Sequence, residues 1–191
     1  MTGKLTKSQA KFANSLKQKK YRDSNRLFVV EGIKMVGEVL DSNIVVDTLV
    51  YTGDSESIPF ELPFSGLQTS DRELGQISSL KTPNRVLALC KMPSSNAPLD
   101  FSKPIIALDG VSDPGNLGTI IRICDWFGFD QILCGDGTVD CYNPKVVQAT
   151  MGSLFRVEIH YQNLSEALAG RPENHPVFYA DMGGEAIYET E

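Results

Sequence analysis

The sequence predicts an α/β protein built in two parts, and three observations lead there. After residue 98, short apolar runs alternate with segments of helical period, the order expected of a parallel sheet. Before it lies a separate set of strand-like and helix-like segments. Between the two stands Pro93-Ser94-Ser95-Asn96-Ala97-Pro98, which is small, polar and flanked by proline, the composition of a linker. The expected boundary therefore falls there, giving parts at 1–97 and 98–191.

In order along the chain, residues 4–20 read as a helix, with Leu5, Phe12 and Leu16 near heptad spacing and lysines on the other faces. Tyr21 to Arg26 reads as a polar connector. Leu27 to Val30 reads as a strand, and Ile33, Val36, Val39 and Leu40 mark a helix. The β-branched run Ile44 to Tyr51 predicts a strand. Ser70 is placed to cap a short helix holding Leu74 and Ile77, and Val86 to Cys90 predicts another strand. The second part reads as strand 105–109, helix 116–127, strand 130–134, helix 143–151, strand 154–159, helix 164–169 and strand 176–180.

Apolar residues make up 41% of the chain and charged ones 22%, ordinary globular proportions. No run is long and apolar enough to cross a membrane, and the first residues lack an apolar signal core. Cys90, Cys124, Cys134 and Cys141 show no CxxC spacing. They read as reduced core thiols, which with the missing signal core points to the cytoplasm. Two histidines give no ligand cluster, so no metal site is expected. The net charge of −6 hides an asymmetry. Residues 1–34 carry nine Lys or Arg against Asp23 and Glu31, whereas the stretch from Glu158 onward is acidic. A basic arm on an acidic body points to a phosphate-rich partner at the basic end.

The chemistry concentrates between Asp109 and Gly128. Asp113-Pro114-Gly115 is turn chemistry. Asn116 is a preferred cap residue for the helix that follows. Leu117, Ile120, Ile121 and Cys124 form the core face of that helix, while Asn116, Thr119 and Arg122 line one side of it. A lone arginine on a mostly apolar helix is costly without a use or a partner. A pairing with Asp125 at i+3 is the plain alternative. In a second stretch, Asn143 and Pro144 make a helix start. Lys145 lies in the first turn, where the dipole disfavours a cation unless an anion compensates it. Gly152 is the usual helix stop, beside Ser153. Arg156 alternates with apolar residues in FRVEI, the pattern of a strand edge. There is no phosphate-loop lysine and no GxGxxG spacing.

DPGNLGTIIRICDWFG resembles the first signature motif of the SpoU/TrmH family of RNA 2′-O-ribose methyltransferases, and NPKVVQATMGSLFRV resembles the second, in the family's order. LFVVEGIKMVGEVL is similar to the start of the substrate-recognition domain that precedes the catalytic domain in many members, itself similar to a small ribosomal-protein RNA-binding fold. The resemblance covers nearly the whole chain. It implies an RNA substrate-binding domain at 1–97 and the first portion of a SPOUT domain (trefoil-knotted, Rossmann-like) at 98–191. It further implies S-adenosylmethionine as methyl donor, a ribose in rRNA or tRNA as acceptor, Arg122 and Asn116 as catalytic residues, and Arg22, Lys34, Lys145, Ser153 and Arg156 as RNA-binding. Family members continue into a third motif that builds most of the cofactor pocket. Gly183-Gly184-Glu185 falls too early to be that motif. The resemblance therefore assigns no cofactor-binding residue, implies weak cofactor binding by these residues alone, and leaves the family's homodimer short of one helix. A non-catalytic RNA-binding protein that has kept the fold is the alternative reading, and an unrelated α/β nucleotide enzyme is a third.

Overall fold

Nine segments of the first part and six of the second assemble around two sheets in a computed structural model that describes residues 3–54, 58–60, 66–94, 98–180 and 183–184. The first sheet contains β1 (Gly3–Lys4), β2 (Leu27–Glu31), β3 (Val46–Thr52), β4 (Leu67–Thr69) and β5 (Val86–Lys91), in the order β1-β4-β3-β5-β2. With it fold α1 (Lys7–Ser15), α2 (Lys19–Asn25), α3 (Ile33–Leu40) and α4 (Asp71–Ile77). The second sheet is parallel, β6 (Ile106–Leu108), β7 (Gln131–Cys134) and β8 (Glu158–Tyr161) in sequence order. Its helices are α5 (Pro114–Phe127), α6 (Pro144–Thr150) and α7 (Leu164–Ala169).

Period-2 alternation decides what each face of the first sheet buries. Leu27 and Val29 of β2 join Leu87 and Leu89 of β5 against Ala13, Leu16, Leu74 and Ile77 from α1 and α4. Phe28, Val30, Ala88 and Cys90 point the other way, onto Met35, Val36 and Val39 of α3. That second core continues without a break into Leu117, Ile121, Ile132, Val146 and Leu154 of the second part. Covered on both sides, β2 and β5 read as nearly unbroken apolar runs. The rings of Phe28 and Tyr142 meet across the seam with centroids 4.7 Å apart.

Four expectations are corrected. The helix foreseen over 4–20 ends at Ser15, and the foreseen connector is the helix α2. The break occurs where Arg22 donates from Nη1 to the Leu16 and Lys17 carbonyls, satisfying the end of α1. α5 begins two residues early, at Pro114, because Asp113 caps it rather than Asn116. Residues 154–157 are not strand: Met151 at φ 53° and Gly152 at φ 99° turn the chain into a 3-10 turn, Ser153–Phe155, and β8 starts only at Glu158. Finally, residues 176–180 form no strand, and Phe178 and Tyr179 are exposed. Strand propensity needs a ladder partner to express it, and none is present for them among the described residues. The middle of the foreseen linker, residues 95–97, and residues 185–191 lie outside the described residues.

Candidate active site

Two helices with the same kind of start build the site. In α5 the Asp113 side chain accepts from the Asn116 N–H at 2.8 Å, with proline at the first helical position. In α6 the Asn143 side chain accepts from the Lys145 N–H at 3.0 Å, again followed by proline. α5 stops at Gly128, φ 76°, the left-handed conformation that glycine tolerates. The two helices lie side by side. Gly118 faces Ala149 so closely that an added Cβ would overlap it and stand 3.0 Å from the Ala149 carbonyl carbon.

Leu117, Gly118, Ile121 and Cys124 bury one face of α5. The stripe of Asn116, Thr119 and Arg122 is exposed. With Asp113 doing the capping, the Asn116 side chain is left unpartnered among the described residues. Thr119 spends its hydroxyl on the Gly115 carbonyl, 2.9 Å away. Arg122 has no hydrogen bond or ion pair among the described residues, and Asp125, its foreseen alternative partner, is bound elsewhere. Arg122 lines a cavity of about 480 Å³ together with Thr119, Asp125, Met151, Ser153 and Arg156. Its apolar wall is Ile123, Trp126 and Phe127, with Trp126 84% and Phe127 70% exposed.

The remaining candidates divide. Lys34, in the first turn of α3, and Lys145, in that of α6, are exposed and unpaired among the described residues. Lys145 borders a second cavity of about 300 Å³ at the seam, lined by Val29 and Glu31 of β2 and by Gln148. Of the three others, Arg22 is corrected, while Ser153 and Arg156 line the Arg122 cavity with partners of their own. Arg22 cannot face RNA: it is 2% exposed, and beyond the two carbonyls of α1 its Nη2 bonds Asp140 Oδ2 at 2.5 Å, tying α2 to the loop before α6. Ser153 is buried, with its hydroxyl close enough to Asp125 to help lower that carboxyl's pKa. Arg156 stands just after the 3-10 turn, with its guanidinium committed to Asp125 and Glu38. The Arg156 hydrogen bonds, more than those of Ser153, hold the Asp125 carboxyl below the usual carboxylate range, against the opposing effect of burial.

Asp113, as a cap, and Asp140 and Glu38, as ion partners, are absent from the expectations set by the sequence. Asp113-Pro114 carries the same cap-then-proline signal as Asn143-Pro144 and was open to the same inference. Asp140 and Glu38 are tertiary partners with no local signature.

In a parallel sheet, ligands meet the carboxyl ends of the strands. Here the loops after β6 and β7 approach one another, and the second also approaches α7. A Cβ on Gly137 (φ 80°) would stand 3.6 Å from Gly110 Cα, and one on Gly135 would meet Leu164 at 2.6 Å. No described residue of these loops is assigned to the cofactor. Among the described residues no His, Cys, Asp or Glu cluster suits a metal ion, and no helix is long and apolar enough to cross a membrane.

Comparison with known proteins gives a consistent neighbourhood. Residues 103–191 match the SpoU rRNA Methylase family, and residues 7–88 match the MRM3-like substrate binding domain. The chain is 34% identical to the 23S rRNA (guanosine(2553)-2′-O)-methyltransferase RlmP of Bacillus subtilis, over 78% of this chain and 60% of the relative. It is 32% identical to rRNA methyltransferase 3, mitochondrial, of Xenopus laevis, over 80% of this chain but 39% of that one. The crystal structure of an rRNA methyltransferase from Sinorhizobium meliloti superimposes with a TM-score of 0.74 at 32% identity, over 88% of this chain and 67% of that one. The rRNA methyltransferase of that organism has also been solved with AdoMet bound. The chain thus spans 60% and 39% of the lengths of these two curated relatives.

Proposed function

This chain belongs to the SpoU rRNA methylase family, and we propose from that premise that its protein methylates the 2′-hydroxyl of a ribose in ribosomal RNA. S-adenosylmethionine would supply the methyl carbon, its carbon–sulfur electron pair staying on sulfur as the oxygen–carbon bond forms and the hydroxyl proton passes to water. Everything else is positioning and charge. Arg122 binds the phosphate beside the acceptor ribose and stabilises the negative charge that grows on its 2′-oxygen. It is not the base, since a guanidinium keeps its proton below about pH 12. Asn116, freed from capping, lies on the same stripe and hydrogen-bonds the ribose or its phosphate. Lys34 and Lys145 hold the flanking RNA backbone, and residues 1–97 act as the substrate-binding part. The 2′-hydroxyl that accepts the methyl is also what separates RNA from DNA.

The observation that carries this reading is Arg122 unpaired beside a cavity, on the helix that bears the first motif. With the natural full-length protein and rRNA, Arg122→Ala should lower methyl transfer by roughly 10²–10³-fold, the usual cost of losing one charge-stabilising donor. Arg122→Lys should retain part of the activity. Wild-type transfer by Arg122→Ala would exclude the assigned role.

The exposed strip of Ile123, Trp126 and Phe127 beside Arg122 is the face on which a second copy packs. Contiguous exposed apolar side chains commonly mark a contact surface. Sedimentation should show a dimer that Trp126→Ser weakens; a wild-type monomer would remove the pairing. Four buried free thiols fit a reducing compartment, here the cytoplasm.

A further inference from the structure

Asp125 stands three residues after Arg122, one turn along the same helix, which makes it the nearest built-in competitor for that guanidinium. It is already occupied. Arg156 donates from Nε to both Asp125 oxygens at 3.1 Å and from Nη2 to Oδ2 at 2.8 Å. The remaining arm, Nη1, reaches Glu38 Oε2 at 3.0 Å, on α3 of the first sheet. A planar fork matches a carboxylate in this way, and a lysine cannot reproduce it. Ser153 lines the same cavity beside that carboxylate.

We propose that Arg156 is a positioning residue: by occupying and neutralising Asp125, it keeps Arg122 an unpaired cation at the cavity. This deepens the functional reading above and rests on it. Without Arg156, a bare carboxylate one turn from Arg122 would draw that guanidinium toward itself. It would also repel an approaching phosphate and oppose charge growing on the ribose oxygen. The link to Glu38 adds a reference point on the substrate-binding sheet, so α5 is held against the part of the molecule that meets RNA first.

A rescue experiment separates this role from simple bracing. In the full-length protein, Arg156→Gln should slow methyl transfer at saturating RNA by about tenfold or more, the scale of one uncompensated charge near the reacting oxygen. Adding Asp125→Asn to it removes the stray charge and should return turnover to within a few-fold of wild type. It should do so with no gain in Tm, since the double variant has lost both partners of the pair. A double variant no faster than Arg156→Gln overturns the proposal, and so does wild-type turnover in Arg156→Gln. Wild-type turnover in Arg122→Ala is a different failure: it removes the role of Arg122 itself, and the proposal with it. A readout without catalysis is the salt dependence of RNA affinity. Arg156→Gln should flatten the slope of log affinity against log salt by about one phosphate contact, roughly 0.7–0.9, to the value seen in Arg122→Ala. The double variant should restore it, and an unchanged slope in Arg156→Gln counts against the proposal.

Discussion

The seam around Arg22 and the face around Arg122 show one residue type in two opposite situations. At the seam, Arg22 is buried, with one nitrogen on two helix-end carbonyls and another on Asp140, 118 residues away in sequence. On α5, Arg122 is exposed with every donor unspent among the described residues, and Asp125, three residues on, is claimed by a third arginine. A buried guanidinium that lost its partner would sit desolvated and uncompensated, so the seam needs Arg22 to fold. An unpaired guanidinium at an open cavity contributes little to folding and remains available to an anion. Local composition does not distinguish the two; where the donors go does.

Stability measurements in urea sharpen this contrast most strongly at the seam. Arg22→Ala should cost about 3–5 kcal/mol, since it leaves Asp140 without its partner and two carbonyls of α1 unsatisfied. Arg22→Met with Asp140→Leu should recover a good part of that loss. A cost below about 1 kcal/mol for Arg22→Ala would break the comparison. The Asp125–Arg156 pair, half-exposed on the arginine side, should contribute less, up to about 1 kcal/mol at neutral pH. Its pH dependence has a definite sign. The folded-state pKa of Asp125 lies below the ordinary 3.8, so the contribution is fully present above that value and disappears as pH falls through the lower folded value. The Tm gap between wild type and Asp125→Asn should therefore hold from neutral pH down to about 5 and close in stronger acid. A gap that widened on acidification would contradict the pairing. The smallest effect is expected of Arg122→Ala, within about 0.5 kcal/mol of wild type in stability despite its catalytic loss.

Much of this was legible in the sequence because it is local. The period of α5, the cap Ser70 on α4, and the strands β2, β3, β5 and β7 follow from spacing and residue type within a few positions. Asn143-Pro144 announces the start of α6, while the equivalent Asp113-Pro114 resembles a turn because a glycine follows it. That displacement mattered: it gave Asn116 a capping task that Asp113 performs. The misread arginines fail for a different reason. Nothing near Arg22 announces Asp140, and nothing near Arg156 announces Glu38, because both partners arrive only when the two sheets close on one another. The apolar stretch at 176–180 looked like a strand because β-branched and aromatic residues favour one, but pairing is a property of neighbours that the stretch itself does not specify.

The contact between Gly118 and Ala149 leaves no room for even a methyl group between the two motif helices. Any side chain at position 118 would push the two backbones apart. The spacing from Lys145 on one to Arg122 on the other is therefore set by the main chain, like the gap between two marks on a ruler. Under the roles proposed for Lys145 and Arg122, an RNA strand held at the first mark would be gauged by the second, so that which sugar is reached would become a matter of length counted along the strand.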